Sequence, residues 1–182
     1  SYYERWLKDQ ISQNRSWDEM VFEMLSAEGS IASSGPAGYL LRDPGMPLDN
    51  LSNTLNVFLG ANVACAQCHD HPLADWTQRE FYELAAFFGA TDVSDRDPRK
   101  VGNRLKTDEI SKQDVIKAVA PNMARVHTKG TQALKFPDDY AYDDVKPGSP
   151  VDPLLFVWES GDEKGPAYDV NLKDPKTLRA SF

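Results

Sequence analysis

The stretch Cys65-Ala66-Gln67-Cys68-His69-Asp70-His71-Pro72 contains the only two cysteines of the chain and two of its three histidines. C-x-x-C-H is the attachment signature of a c-type haem. Each thiol adds across one vinyl group of the porphyrin, and two intervening residues match the spacing of those vinyls. The next histidine then falls under the iron as its proximal ligand. The reading is one covalent haem c, tethered through Cys65 and Cys68 and ligated by His69. Three other readings compete with it. A Cys65–Cys68 disulfide would close too small a loop to restrict the unfolded chain much. A thioredoxin-like pair belongs at the start of a helix after a strand, whereas the residues before Cys65 read as helix. Zinc on Cys65, Cys68, His69 and His71 would need one tight turn to aim four ligands at tetrahedral corners, and structural zinc sites usually take their second ligand pair from a distant segment.

Helices are expected on both sides of the motif. Asp49 reads as an N-cap, followed by Leu51, Leu55, Phe58 and Leu59 on one face, with Gly60 loosening or ending the helix. Thr77 and Glu80 form a capping box that opens a second helix burying Phe81, Leu84, Ala85 and Phe88. Gly89 stands where a C-terminal glycine belongs. Further upstream, Tyr3, Trp6 and Leu7 share one helical face. Asn14-Arg15 interrupts it, and Ser16 with Glu19 reads as a capping box for a helix carrying Trp17, Met20, Val21, Met24 and Leu25. Together these make a helical hairpin whose aromatic and methionine stripe is core. From Gly29 to Pro47 the chain is glycine- and proline-punctuated loop, pinned by Tyr39-Leu40-Leu41.

These blocks also carry a resemblance. Phe58-Leu59-Gly60, the C-x-x-C-H-D-H-P stretch, Trp76-Thr77-Gln78 and Ala85-Ala86-Phe87-Phe88 resemble the DUF1549 family, the planctomycete cytochrome-C-like domain called PSCyt2. Asn14-Arg15-Ser16-Trp17-Asp18-Glu19 and Ala27-Glu28-Gly29 resemble the start of that family. The likeness covers roughly residues 1–90 and thins beyond them. It implies a haem-binding domain of an exported protein, set between a separate cytochrome c domain and a C-terminal DUF1553 region. The terminal Asp174-Pro175-Lys176-Thr177-Leu178-Arg179 is similar to the approach to that region, so the chain is expected to be a segment of a longer polypeptide.

The second half is less regular. Residues 91–109 read as a charged surface loop, and Ser111–Val119 as one short helix with Val115, Ile116 and Val119 on its apolar side. Arg125–Thr128 and Thr131–Phe136 suggest two short strands around a Lys129-Gly130 turn. Pro137–Pro153 is expected to be extended and exposed, Leu154–Trp158 a buried strand or turn, and the remainder to Phe182 loop-rich. The acidic run Asp138–Asp144 lacks the ligand spacing and glycine of a calcium loop, and solvation accounts for it.

Composition sets the outer limits. The chain has 182 residues, 41 % of them hydrophobic and 26 % charged, as in an ordinary globular protein. A net charge of −8 argues against nucleic acid or an anionic membrane as partner and suits a basic redox partner, although a solvated acidic surface is the more common reason for such a charge. No apolar run approaches the roughly twenty residues of a membrane span.

The fold expected is mainly α. Residues 1–95 form a helical, cytochrome-c-like haem-binding domain, and 96–182 a loop-rich lobe of the same domain with a few short strands. The sixth iron position decides the chemistry: a second protein ligand gives electron transfer, an open one permits small-molecule chemistry. His127 or Met46 is the candidate for it. His71 is too close to His69 to reach the far face of one ring and is assigned to a propionate, the local backbone or Asp70. The function expected is single-electron transfer, with an adjacent cytochrome c domain or another redox protein as partner. A haem enzyme acting on a small molecule, or a non-haem zinc or disulfide interaction module, is the alternative. Because thioether–haem attachment takes place outside the bacterial cytoplasm, a periplasmic or otherwise exported location follows from the haem.

Overall fold

A computed structural model describes residues 1–95, 111–120, 123–154 and 173–182. These include six α-helices and a three-stranded sheet, a mainly α protein. The chain forms two compact units, each assembled from two stretches: Ser1–Pro44 with Asp92–His127, and Gly45–Thr91 with Thr128–Phe182.

In the first unit, α1 (Tyr2–Ser12) opens on a capping box between Ser1 and Glu4 and stops where Asn14 takes a left-handed φ of 52°. After it runs α2 (Trp17–Ser26). The capping box expected at Ser16 and Glu19 does not form, because Glu19 instead accepts from Arg15 Nε at 3.1 Å, while Arg15 also reaches Glu23 at 2.7 Å. Met20, Met24 and Leu25 are buried as the periodicity requires, whereas Trp17 is 55 % exposed. Tyr3 Oη donates to Met24 Sδ at 3.1 Å, so the stripe is core. A short 3₁₀ stretch, Gly35–Gly38, lies against α1, and only glycine fits there. A Cβ at Gly35 or Gly38 would stand 2.5 Å from the Cβ of Trp6 or Tyr3. The sheet places β3 (Ala124–Thr128) between β1 (Gly29–Ser30) and β2 (Thr91–Asp95). Gly29 pairs with Val126 and Ser30 with Arg125, antiparallel. The expected loop from residue 91 thus begins as a strand, and its remainder lies outside the described residues. One further helix, α5 (Lys112–Val119), falls where expected.

In the second unit, α3 (Pro47–Leu59) starts two residues ahead of Asp49, since Pro47 brings the helical φ to the first position. It buries Leu51 and Leu55 but leaves Leu59 66 % exposed, and Gly60 ends it at a left-handed φ of 67°. The Thr77–Glu80 capping box forms in both directions at the start of α4 (Gln78–Ala85), whose last turn tightens into 3₁₀ over Ala86–Phe88. Gly89, expected to be left-handed, has an ordinary φ of −63°. Its role is close approach, because a Cβ there would lie 2.7 Å from Gln132 Oε1.

The hairpin expected around Lys129-Gly130 is absent: Thr131–Phe136 forms no strand, and Lys135 makes a single bridge to Pro150. Nor is Pro137–Pro153 wholly exposed, since Tyr140 and Val151 are buried. The end of the chain is α6 (Pro175–Ser181), capped by Asp174 rather than loop-rich. Leu178 is fully buried, and the Phe182 ring packs 5.2 Å from Phe88 and 5.8 Å from Phe87. Residues Leu155–Trp158 lie outside the described part of the chain. No helix among the described residues is long and apolar enough to cross a membrane.

Candidate functional site

The motif sits in the second unit, on a 3₁₀ turn over Ala64–Gln67 between α3 and α4. The Ala66 N–H donates to Val63 O at 2.9 Å, and the Cys68 N–H to Cys65 O at 3.2 Å. Residues three apart superimpose in this geometry, so Cys65 and Cys68 share one side of the turn while Ala66 points into the core. Ala66 is fully buried, whereas both cysteines are exposed free thiols. The turn is fastened to its neighbours by amides: Gln67 Nε2 donates to Ser52 Oγ of α3 at 3.0 Å, and Gln78 Nε2 of α4 donates to Gln67 O at 3.0 Å.

The two histidines hold opposite tautomers. His69 Nδ1 lies 2.7 Å from the Asp70 carbonyl oxygen. A carbonyl only accepts, so Nδ1 carries the proton and Nε2 keeps its lone pair. His71 Nδ1 instead accepts the Leu73 N–H at 3.1 Å, which puts the proton of its neutral ring on Nε2. His69 is therefore prepared to ligate through Nε2, while His71 closes the local turn with its backbone N–H donating to Trp76 O at 2.7 Å. The Asp70 carboxylate accepts the Gln78 N–H at 2.8 Å. It occupies the electropositive start of α4, while its backbone orients the imidazole.

The third fastening comes from far along the chain. Tyr142 Oη accepts the Asp70 N–H at 2.8 Å across a separation of 72 residues. Tyr142 ends a row of rings whose successive centroids are 5.6, 5.4 and 5.5 Å apart: Tyr82, Phe136, Tyr140 and Tyr142. Burial raises the Tyr82 phenol pKa, and the neighbouring Cys68 and Asp139 raise it further. Burial also raises that of Tyr140, whose Oη donates to Asp144 at 2.8 Å. Arg79 ties the arrangement back to α4, 2.7 Å from Glu83 and 3.8 Å from Asp144. Burial pushes the Glu83 carboxyl up despite that guanidinium.

Residues 1–93 match PSCyt2, described as a protein of unknown function (DUF1549). The chain belongs to the PSCyt2 family. In this PSCyt2 chain the matched stretch carries the motif, α3 and α4, and the ring row enters from beyond it through Phe136, Tyr140 and Tyr142. No curated protein and no solved structure matches the chain.

Cys65, Cys68 and His69 are the residues that could hold a haem, and they lie together. Among the described residues no three His, Cys, Asp or Glu side chains gather as a metal-holding group, so Cys65, Cys68, His69 and His71 do not converge on a common point. Met46 stands at the N-cap position of α3, 49 % exposed, in the same unit as the motif. His127 belongs to the first unit, on β3, with Nε2 3.3 Å from Asp92 Oδ2 and Nδ1 buried without a partner among the described residues. Sequence reading missed Tyr142, Gln78 and Ser52. For Gln78 a signal existed, as the first residue of a capped helix has an N–H in need of an acceptor. For Tyr142 there was none.

Proposed function

We propose that this PSCyt2 domain is a c-type cytochrome module, carrying one haem on Cys65 and Cys68 with His69 as proximal iron ligand and passing single electrons. The observation that carries the reading is the tautomer of His69: Nδ1 donates to the Asp70 carbonyl, so Nε2 presents a lone pair immediately after two exposed, unbridged thiols. A backbone carbonyl on Nδ1 is the partner that orients ligating imidazoles and makes them more basic. A haem supplies a one-electron iron couple tuned by its axial ligands and by burial. The chain's own part is to tether, to orient the imidazole through Asp70, and to hold that backbone through Gln78 and Tyr142.

Met46, in the same unit as the motif, is proposed for the sixth position. Met46 stands at the start of α3, the helix whose Ser52 binds Gln67 of the motif turn. An adjacent cytochrome c domain or a basic redox protein is the proposed partner, and an exported location goes with haem attachment. The test is the visible spectrum of chain matured with haem-attachment machinery. The expected result is a Soret band with a sharp α-band on reduction and no added ligand. A high-spin spectrum that shifts with CO or cyanide would instead give the domain small-molecule chemistry, and no Soret band would remove the haem.

A further inference from the structure

We propose that Tyr142 is a positioning residue for the His69 imidazole, acting through the Asp70 backbone; this rests on His69 being the iron ligand. Asp70 is held at both ends of its backbone. Its N–H donates to Tyr142 Oη at 2.8 Å, and its carbonyl takes the His69 Nδ1–H at 2.7 Å. The Asp70 side chain is spent on the Gln78 N–H, so it does not orient the ring itself. Asp70 and His69 are both exposed, where a lone carbonyl–imidazole bond would compete with water. Fixing the Asp70 N–H holds the His69–Asp70 peptide, whose rotation would swing the imidazole off the carbonyl, while the Asp70–His71 peptide that bears the carbonyl is held by the His71 N–H on Trp76 O at 2.7 Å.

Tyr142 in turn does not float. Its ring meets Tyr140 edge-on at 5.5 Å, and Tyr140 is buried and bonded to Asp144. The row then returns through Phe136 to Tyr82 on α4, the helix whose first N–H the Asp70 carboxylate caps. Asp70 is thus closed into a circuit of two hydrogen bonds and three ring contacts. A partner on Nδ1 raises imidazole basicity and favours ferric over ferrous iron. Tyr142 would therefore lower the midpoint potential of a haem held by His69, acting through Asp70.

Tyr142→Phe, which keeps the ring and removes only the acceptor, tests this in the full 182-residue chain. In haem-free chain, at a pH where the imidazole is neutral, the Asp70 amide should exchange faster by on the order of tenfold or more. The His69 ¹⁵N shifts should move away from the Nδ1–H tautomer, while those of His71 stay. In haem-loaded chain the ferric-over-ferrous preference should fall by on the order of tenfold, the lower end of what such supporting bonds contribute, seen as a higher midpoint potential. A variant that loses thermal stability but keeps the Asp70 exchange rate, the His69 tautomer and the potential would overturn the proposal. Should the variant not fold, the wild-type chain still decides it: an Asp70 amide as unprotected as its exposed neighbours contradicts the circuit. If the matured chain carries no haem, the cytochrome reading fails while the amide and tautomer measurements still decide the role of Tyr142.

Discussion

Replacing Cys65 and Cys68 together by alanine is expected to leave the matured chain with no haem after denaturation, yet to change its haem-free stability by less than about 1 kcal/mol. The two halves of that expectation have separate causes. Both thiols are exposed and unbridged, so neither contributes core packing or a cross-link. The turn is held by Ala66, which is fully buried, and by the amides of Gln67 and Gln78. Removing the sulfurs therefore removes the tether and little else. His69→Ala should behave differently. Haem already attached stays attached through the thioethers, but the iron loses its proximal imidazole and its spectrum turns high-spin. Haem staining of denaturing gels together with thermal melts of the haem-free variants separates the two effects. A double-alanine chain that retained haem through denaturation would show that the link is not through these sulfurs.

Phe136→Ala should destabilise the protein by about 3–5 kcal/mol, the range for truncating a buried phenylalanine. Phe136 is 5 % exposed and is the middle ring of the row, 5.6 Å from Tyr82 and 5.4 Å from Tyr140. Its N–H also donates to Ser149 O at 3.0 Å, which closes the stretch carrying Tyr140 and Tyr142 at its two ends. Deleting the ring leaves a cavity between α4 and the Tyr142 ring that bonds Asp70. The loss should thus appear both as a lower denaturant midpoint and as an Asp70 amide that exchanges faster than in wild type. A loss under about 1 kcal/mol would mean that the row is not part of the packed core.

How much of this the sequence disclosed depended on whether the governing interaction was local. The Thr77–Glu80 cap and the Gly60 stop were legible because the residues that satisfy each helix end stand within a few positions of it. Ser16–Glu19 has the same local pattern and failed, since Arg15 offers Glu19 a charged partner that the capping rule does not weigh. Gly89 was legible as important and misread in cause: backbone freedom was expected, and room for Gln132 is what it provides. The cysteine–histidine spacing singled out three candidate site residues from the sequence alone. What it could not supply was the support around them. The Asp70 carboxylate serves a helix terminus, and the Asp70 carbonyl is what meets the imidazole. Tyr142 lies in a proline- and aspartate-rich stretch with no periodicity, and its partner is 72 residues away. No local pattern encodes a contact of that separation. The strand expected over Thr131–Phe136 failed for a related reason. Its alternation looked like a strand, but the backbone pairing went to Ser149 and Val151 through isolated bonds.

The central claim is a covalent haem on Cys65 and Cys68, and the mass of the denatured chain tests it most directly. The 182-residue chain produced together with haem-attachment machinery should have the sequence mass plus one haem, because thioether bonds survive unfolding whereas coordination does not. The bare sequence mass, in chain exposed to that machinery, would contradict the account.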